Sequence, residues 1–396
     1  MIRWVYPVLG LIILAMLGGL YTFSLFYKPL QEFYELTDVA PLAFAFSIAT
    51  LTYSLSIIPA GSLYDRLGPK FPLLAGASFI FLGYLLASTM KSYEWETART
   101  FYYLYLGVLP GIGIALVDAV PRPLAGKWFP EKPGIVVGIV AIGFGIGGAL
   151  IAPLVGYFLT AMDIFHTFIA LGLLYFAVIS ICSIPMKDPP VKKEIVSLDL
   201  RVVLKSKIFY KLWFAFLFST FSGLLVIGNA ATILLEGAKV TPQLGEMIEE
   251  FMVITSISNA LGRVLWGALL DRVGVKKAML LNFLTSSTSV ILLSQFFATL
   301  LVFPLASIIY ANYGGTLAIF PATSSMVFGR RVAGRAYGAL FTAWGISGFI
   351  APFFGALLRD LTNSYIFAFY SAFAVSSLAL AVSITLPQMR LNSEKS

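Results

Sequence analysis

The chain has 396 residues, of which 59% are hydrophobic and only 12% charged, and its mean hydropathy is +0.89. That composition excludes a soluble globular protein of this length and points to a membrane protein that crosses the bilayer many times. The formal charge of +8, with a single cysteine (Cys182) and a single histidine (His166), excludes a disulfide framework, a Cys/His metal centre and His-dependent hydrolysis; no cofactor is expected.

Twelve apolar stretches reach the roughly 20 residues that a bilayer demands of a helix. They are 5–28, 39–61, 70–90, 99–125, 134–159, 164–186, 209–235, 246–268, 276–297, 299–327, 335–358 and 364–386. The first continues apolar into Phe26 without a small-residue cleavage site, so it reads as a spanning helix and not as a signal peptide. Glycine and proline punctuate several interiors (Gly107, Pro110, Gly111, Gly113; Gly314, Gly315, Pro321). Membrane helices tolerate them and use the small residues for close packing. His166, near the start of the sixth stretch, reads as a loop residue and not as a ligand.

Charge sets the orientation. With the N-terminus cytoplasmic, 20 Lys and Arg fall inside, among them seven between Lys187 and Lys211, and 5 fall outside (Lys28, Lys91, Arg99, Lys239, Arg359). That asymmetry predicts both termini in the cytoplasm. The positive charge therefore reports membrane orientation, and no nucleic-acid partner is expected. The basic, proline-bearing stretch 187–207 predicts a cytoplasmic linker between an N-terminal bundle, 1–186, and a C-terminal bundle, 208–396.

The two halves repeat. GSLYDRLGPK at 61–70 recurs as GALLDRVGVK at 267–276, and the glycines at 138, 145 and 148 recur at 338, 345 and 348. Duplicated six-helix halves with a midplane site between them are an arrangement typical of secondary transporters. The all-α fold expected is thus twelve helices in two pseudo-symmetric bundles. The run Gly143–Gly148 superficially looks like a dinucleotide loop, but no strand precedes it, and close helix packing is the reading adopted.

Within the eighth stretch lies one guanidinium, Arg263, with Asn259 one helical turn before it and on the same face. Arg263 is eight residues, roughly 12 Å, from the membrane-surface residue Asp271. A central arginine costs about 2.5–3.5 kcal/mol on the lenient insertion scales. That cost points to a water-filled cavity and an anion for Arg263 to meet; the alternative is a structural arginine bonded to carbonyls. In the fourth stretch Asp118 and Arg122 form a second i, i+4 pair. They are either a self-neutralising structural pair or a site where Asp118 carries a proton.

The repeated turns, Gly61, Asp65, Arg66, Gly68 and Lys70, then Gly267, Asp271, Arg272, Gly274 and Lys276, read as gates at the cytoplasmic helix ends. Pseudo-symmetry places Asp65 near the start of the eleventh helix, about Gly334. It places Asp271 near the start of the fifth, about Gly134. The neighbouring Arg and Lys are expected to satisfy carboxylates and carbonyls there.

This doubled G-x-x-x-D-R-x-G-x-K turn resembles the signature loop of the major facilitator superfamily. Finer similarity, to the oxalate/formate antiporter family and the related monocarboxylate transporters, rests on Gly19-Leu20-Tyr21 with Phe26–Leu30, GIGIALVDAVPRPLAGKWFPEKPG at 111–134, GLLVIGN at 223–229, YGGTLAIFPA at 313–322 and YGALFTAWGISGFIAP at 337–352. By that resemblance Arg263 is the anion-binding arginine of helix eight, with Asn259 beside it. Two positions depart from the family pattern: Asp118 stands where a tyrosine is usual, and Pro133 where an arginine is usual.

The resulting expectation is an alternating-access carrier of small organic anions, monocarboxylates above all, working by exchange or with a co-transported proton. It would sit in the plasma membrane and work as a monomer, with Tyr21, Asn229, Tyr313 and Trp344 around the anion's tail. A proton-driven exporter of larger amphipathic compounds would want several cavity carboxylates, and only Asp118 qualifies. A membrane enzyme or receptor would want a clustered nucleophile and base or a folded soluble domain, and neither is visible.

Overall fold

A computed structural model describes residues 2–190, 200–329 and 333–387. Among the described residues no strand occurs, and twelve helices are long and apolar enough to cross a bilayer. Six precede the linker region: α1 (Val5–Tyr34), α2 (Ala40–Leu67), α3 (Lys70–Ser92), α4 (Trp95–Trp128), α5 (Pro133–Ala161) and α6 (Ile164–Ser183). Six follow it: α7 (Lys207–Gly228), α8 (Ile248–Val273), α9 (Val275–Phe296), α10 (Val302–Phe328), α11 (Ala333–Thr362) and α12 (Ile366–Ile384). Residues 191–199 of the linker lie outside the described residues, as do Arg330 and Arg331; a short helix, Leu200–Leu204, falls near its end.

Several ends run past the apolar stretches. Helices α2 and α8 continue through Asp65–Arg66 and Asp271–Arg272, so these charges occupy a last helical turn and not the open turn that the sequence suggested. The stop comes from glycine. Gly68 has φ 76° and ψ −177°, and Gly274 has φ 80° and ψ 165°, a region that only glycine enters without strain. Each still donates its N–H at 2.9 Å, to the carbonyls of Tyr64 and Leu270. Arg66 and Arg272 thereby sit where the helix C-terminus favours a cation.

His166 is also corrected. It lies in the first turn of α6, whose N-cap Asp163 accepts from the backbone N–H groups of Phe165 and His166. Local capping extends the helix to a residue expected in the loop. Lys91, 2.8 Å away, and the His166 N–H hold the Asp163 carboxyl well below the usual carboxylate range.

Glycine determines how the bundles close. On α5, a Cβ at Gly143 would strike the Leu11 carbonyl, and one at Gly147 the Ala15 carbonyl and Gly18 of α1. On the other edge, Gly145 and Gly148 face Ala260 and Ser256 of α8. The 143–148 run is thus a two-sided packing stripe that lets three backbones approach. Its repeat on α11, Gly345 and Gly348, receives Ser54 and Thr50 of α2.

These two seams, α5 with α8 and α2 with α11, join the halves unevenly. Away from the basic loops they are tight: a Cβ on Gly145 would lie 2.8 Å from the Ala260 Cα, and Gly156 meets the Glu249 side chain. Toward the basic loops they part, and a Cβ on Gly61, Gly134, Gly138, Gly267 or Gly334 would have nothing within 4 Å. The molecule is closed at one end and open at the basic end. The contact expected between Asp271 and the start of α5 is therefore not made. Asp271 is exposed, because α5 and α8 have already diverged at that depth. Lys276 turns away to the Ile384 carbonyl at 2.7 Å. Asp65 and Lys70 are exposed as well, and the approach to α11 at 330–332 lies outside the described residues.

Candidate functional site

Helix α8 shows how the sequence aims Arg263 inward. Ile254, Ile257, Leu261, Val264 and Leu265 are exposed and form an apolar stripe at helical spacing, which suits lipid. Ser256, Asn259, Ala260 and Arg263 are buried on the opposite face. Arg263 is only 8% exposed and donates from Nε to Asn259 Oδ1 at 3.4 Å. Its guanidinium lies 6.0 Å from the centroid of the Phe144 ring, the outer limit of a cation–π contact. Among the described residues no carboxylate comes within salt-bridge distance of it, and the Asn259 Nδ2 is buried without an acceptor.

Phe144 leads from Arg263 to the second charged group. Its ring centroid lies 5.4 Å from that of Tyr21 and 6.4 Å from that of Tyr53. The Tyr53 hydroxyl donates to Asp118 Oδ2 at 2.8 Å. Arg122 completes the group, with its guanidinium 2.8 Å from Asp118 Oδ1 and 3.2 Å from Oδ2. Asp118 is 4% exposed and Arg122 26%.

An aromatic wall joins the two halves above these charges. The Tyr21 and Tyr313 hydroxyls lie 3.2 Å apart, and the Trp344 indole N–H donates to Tyr313 at 2.8 Å. Trp344 stacks on Phe341 at 4.7 Å and meets the Tyr53 ring edge-on at 5.3 Å. The main chain is irregular in two of the helices that carry these residues. Gly18–Phe26, carrying Tyr21, is 3-10 helix, and a π-helical turn at Tyr103–Val108 precedes the Asp118 segment. Long 3-10 runs and π turns are uncommon and often mark functional segments.

Of the residues selected from sequence, Arg263, Asn259, Tyr21, Tyr313, Trp344, Asp118 and Arg122 are thus linked in one network of polar and ring contacts. Asn229 is not drawn into it. Its Nδ2 donates to the carbonyls of Leu225 and Pro352 at 2.9 and 3.0 Å, and its Oδ1 accepts from the Tyr365 hydroxyl at 3.2 Å. These bonds brace the break between α7 and the short helix Ala230–Gly237. The network also contains Tyr53, Phe144 and Phe341, which the sequence reading passed over. Each is one aromatic in an apolar span, and no spacing distinguishes it from a core residue.

Comparison with known proteins bears on what such a network belongs to. The profile of the Major Facilitator Superfamily matches residues 8–352. The chain belongs to that superfamily. The oxalate:formate antiporter of Oxalobacter formigenes is 26% identical over 397 residues, covering 97% of this chain and 90% of that protein. Monocarboxylate transporter 12-B of Danio rerio is 24% identical, over 90% of this chain and 81% of its own. The solved structure of the E. coli xylose transporter XylE in a partially occluded, inward open conformation matches with a TM-score of 0.75. It covers 100% of this chain and 99% of XylE at 13% identity, a likeness of fold alone. This major facilitator chain is a transporter and not an enzyme.

Proposed function

We propose that the protein carries small organic anions, above all monocarboxylates, by alternating access between the two bundles. The observation that supports this most is Arg263: a buried guanidinium in a membrane span, held among the described residues by one long bond to Asn259 and by no carboxylate. An unpaired charge in such a place is costly, and a substrate carboxylate removes that cost by a bidentate grip. Asn259 adds a buried amide N–H beside it. The relatives named for oxalate, formate and monocarboxylates support the substrate class.

One carboxylate suits the network better than two. Arg122 is already matched by Asp118, which leaves Arg263 as the anchor, and Tyr21, Tyr313 and Trp344 offer a small aromatic surface with few hydrogen bonds. Asp118 is the proposed proton carrier if transport is proton-coupled; otherwise it neutralises Arg122 while anions exchange. The protein is proposed to act as a monomer in the plasma membrane, with 1–186 and 208–396 as its moving units. The basic end would face the cytoplasm, so the structure would be inward-open. Asp65 and Asp271, with the glycines and cations of their motifs, would then act when that end closes.

The test is uptake of labelled carboxylates into liposomes at two pH values. Lactate, formate and pyruvate are expected to compete better than oxalate or malonate. Oxalate or malonate competing at least as well would mean that Arg122 leaves Asp118 to serve as a second anchor.

A further inference from the structure

The tight end of the α2–α11 seam holds a contact that no repeated motif announces. Asp360, near the end of α11, reaches across to the first turn of α2. Its Oδ1 and Oδ2 lie 3.0 and 2.9 Å from the Val39 N–H, and Oδ2 accepts the Ala40 N–H at 2.7 Å. These are backbone donors that a helix start leaves without intrahelical partners, at the positive end of the helix dipole. Val39 is 1% and Ala40 5% exposed, so when the seam is shut the carboxylate replaces water there.

Asp360 is held in place from its own half. Arg359 Nη1 lies 3.1 Å from Asp360 Oδ1 and 3.5 Å from the Thr37 carbonyl, while Arg359 Nε lies 3.8 Å from Glu236. Glu236 in turn accepts from the Ser364 hydroxyl at 2.9 Å and the Tyr365 N–H at 3.0 Å. The C-terminal half thus builds a rigid carboxylate aimed at a helix start in the N-terminal half.

We propose that Asp360 is the latch that holds shut the end of the transporter opposite the basic loops, by capping α2 from α11. Opening that end separates the carboxylate from the Val39 and Ala40 N–H groups, and closing restores them, so the contact biases the alternating-access equilibrium toward the conformation seen here. It touches none of the Arg263, Asp118 or aromatic groups. The latch therefore stands whether or not the carried anion is a monocarboxylate.

The test uses the full chain with Cys182→Ser and two reporter cysteines, in membrane vesicles of known orientation, labelled with an impermeant maleimide. Thr50→Cys reports the tight seam, where Thr50 now packs on Gly348. Gly138→Cys reports the basic end, where its side chain meets open space. Asp360→Asn keeps size but loses the charge. Arg359→Gln takes away the guanidinium beside the carboxylate and leaves Asp360 and both N–H groups in place, so a poorly folding Asp360 variant does not end the experiment. Loss of a charge-assisted bond shifts a two-state equilibrium about tenfold or more. Labelling at Thr50→Cys from the side opposite the basic loops is expected to rise about tenfold, and labelling at Gly138→Cys from the basic side to fall about twofold or more. Unchanged labelling at both positions in folded variants overturns the latch. A rise at Thr50→Cys without the reciprocal fall also overturns it, because a frayed α2 with no change of state would give that pattern.

Discussion

Asp118 and Arg122 form an ion pair at 2.8 Å across an interruption in α4, where helix ends at Asp118 and resumes at Pro121. The i, i+4 spacing alone suggests such a pair on a continuous helix, yet here it survives a break. Ala119 and Val120 keep right-handed helical dihedrals across the interruption, and the Tyr53 hydroxyl holds the same carboxylate from α2. The pair is therefore part of the wall between the halves and not only a property of one helix.

Replacing Asp118 separates its two proposed roles. Asp118→Asn is expected to retain exchange of labelled substrate but to lose its acceleration by an inward proton gradient. Removing one partner of a buried pair costs about 3–5 kcal/mol, so folded yield must be measured beside transport. If the variant misfolds and Asp118→Asn with Arg122→Gln recovers folding, neutralisation is the dominant role. An unaltered gradient response in a folded variant rules out the proton role.

Arg263→Ala should reduce uptake by at least about 100-fold while thermal stability hardly moves, because the guanidinium makes one hydrogen bond, 3.4 Å long, among the described residues. Arg263→Lys should fail nearly as badly, since an ammonium cannot reproduce a planar two-bond grip. Uptake close to normal in a folded Arg263→Ala protein would remove the anchor from the proposal.

Asp65→Asn and Asp271→Asn should shift the accessibility of engineered cavity cysteines toward the basic end. The seams are parted there, and these carboxylates are proposed to act in closing them. Affinity measured in a trapped conformation should stay within about twofold. Unchanged accessibility with collapsed affinity would place both residues in the substrate site.

Gly147→Leu is expected to destabilise the protein by about 1–3 kcal/mol or more, the usual range for overpacking. Its first carbon already conflicts with the Ala15 carbonyl and would lie 2.5 Å from the Gly18 Cα. Gly138→Ala, nine residues earlier on α5, meets nothing within 4 Å and should leave the thermal midpoint unchanged. Equal stability of the two variants would mean that α1 and α5 are not in close contact.

The twelve spans and the lone guanidinium of the eighth were legible in the residues, because both depend on properties local to a segment; the repeat was legible because two such segments match. Transfer of about 20 apolar residues into lipid needs no partner helix, and one guanidinium in such a stretch stands out without knowledge of its neighbours. Glycine-rich runs were legible as packing stripes, but not as the two-sided stripe that puts Gly143 and Gly147 on α1 and Gly145 and Gly148 on α8. That Tyr53, Phe144 and Phe341 join the network, and that Asn229 gives its bonds to a helix break, came from the packing of the helices. It also decided that Asp271 stands clear of α5 while Asp360 caps α2. These outcomes depend on which faces meet between segments far apart in the chain, Tyr53 with Asp118 or Asp360 with Val39. Periodicity shows which face of a helix is buried, but not what that face is buried against.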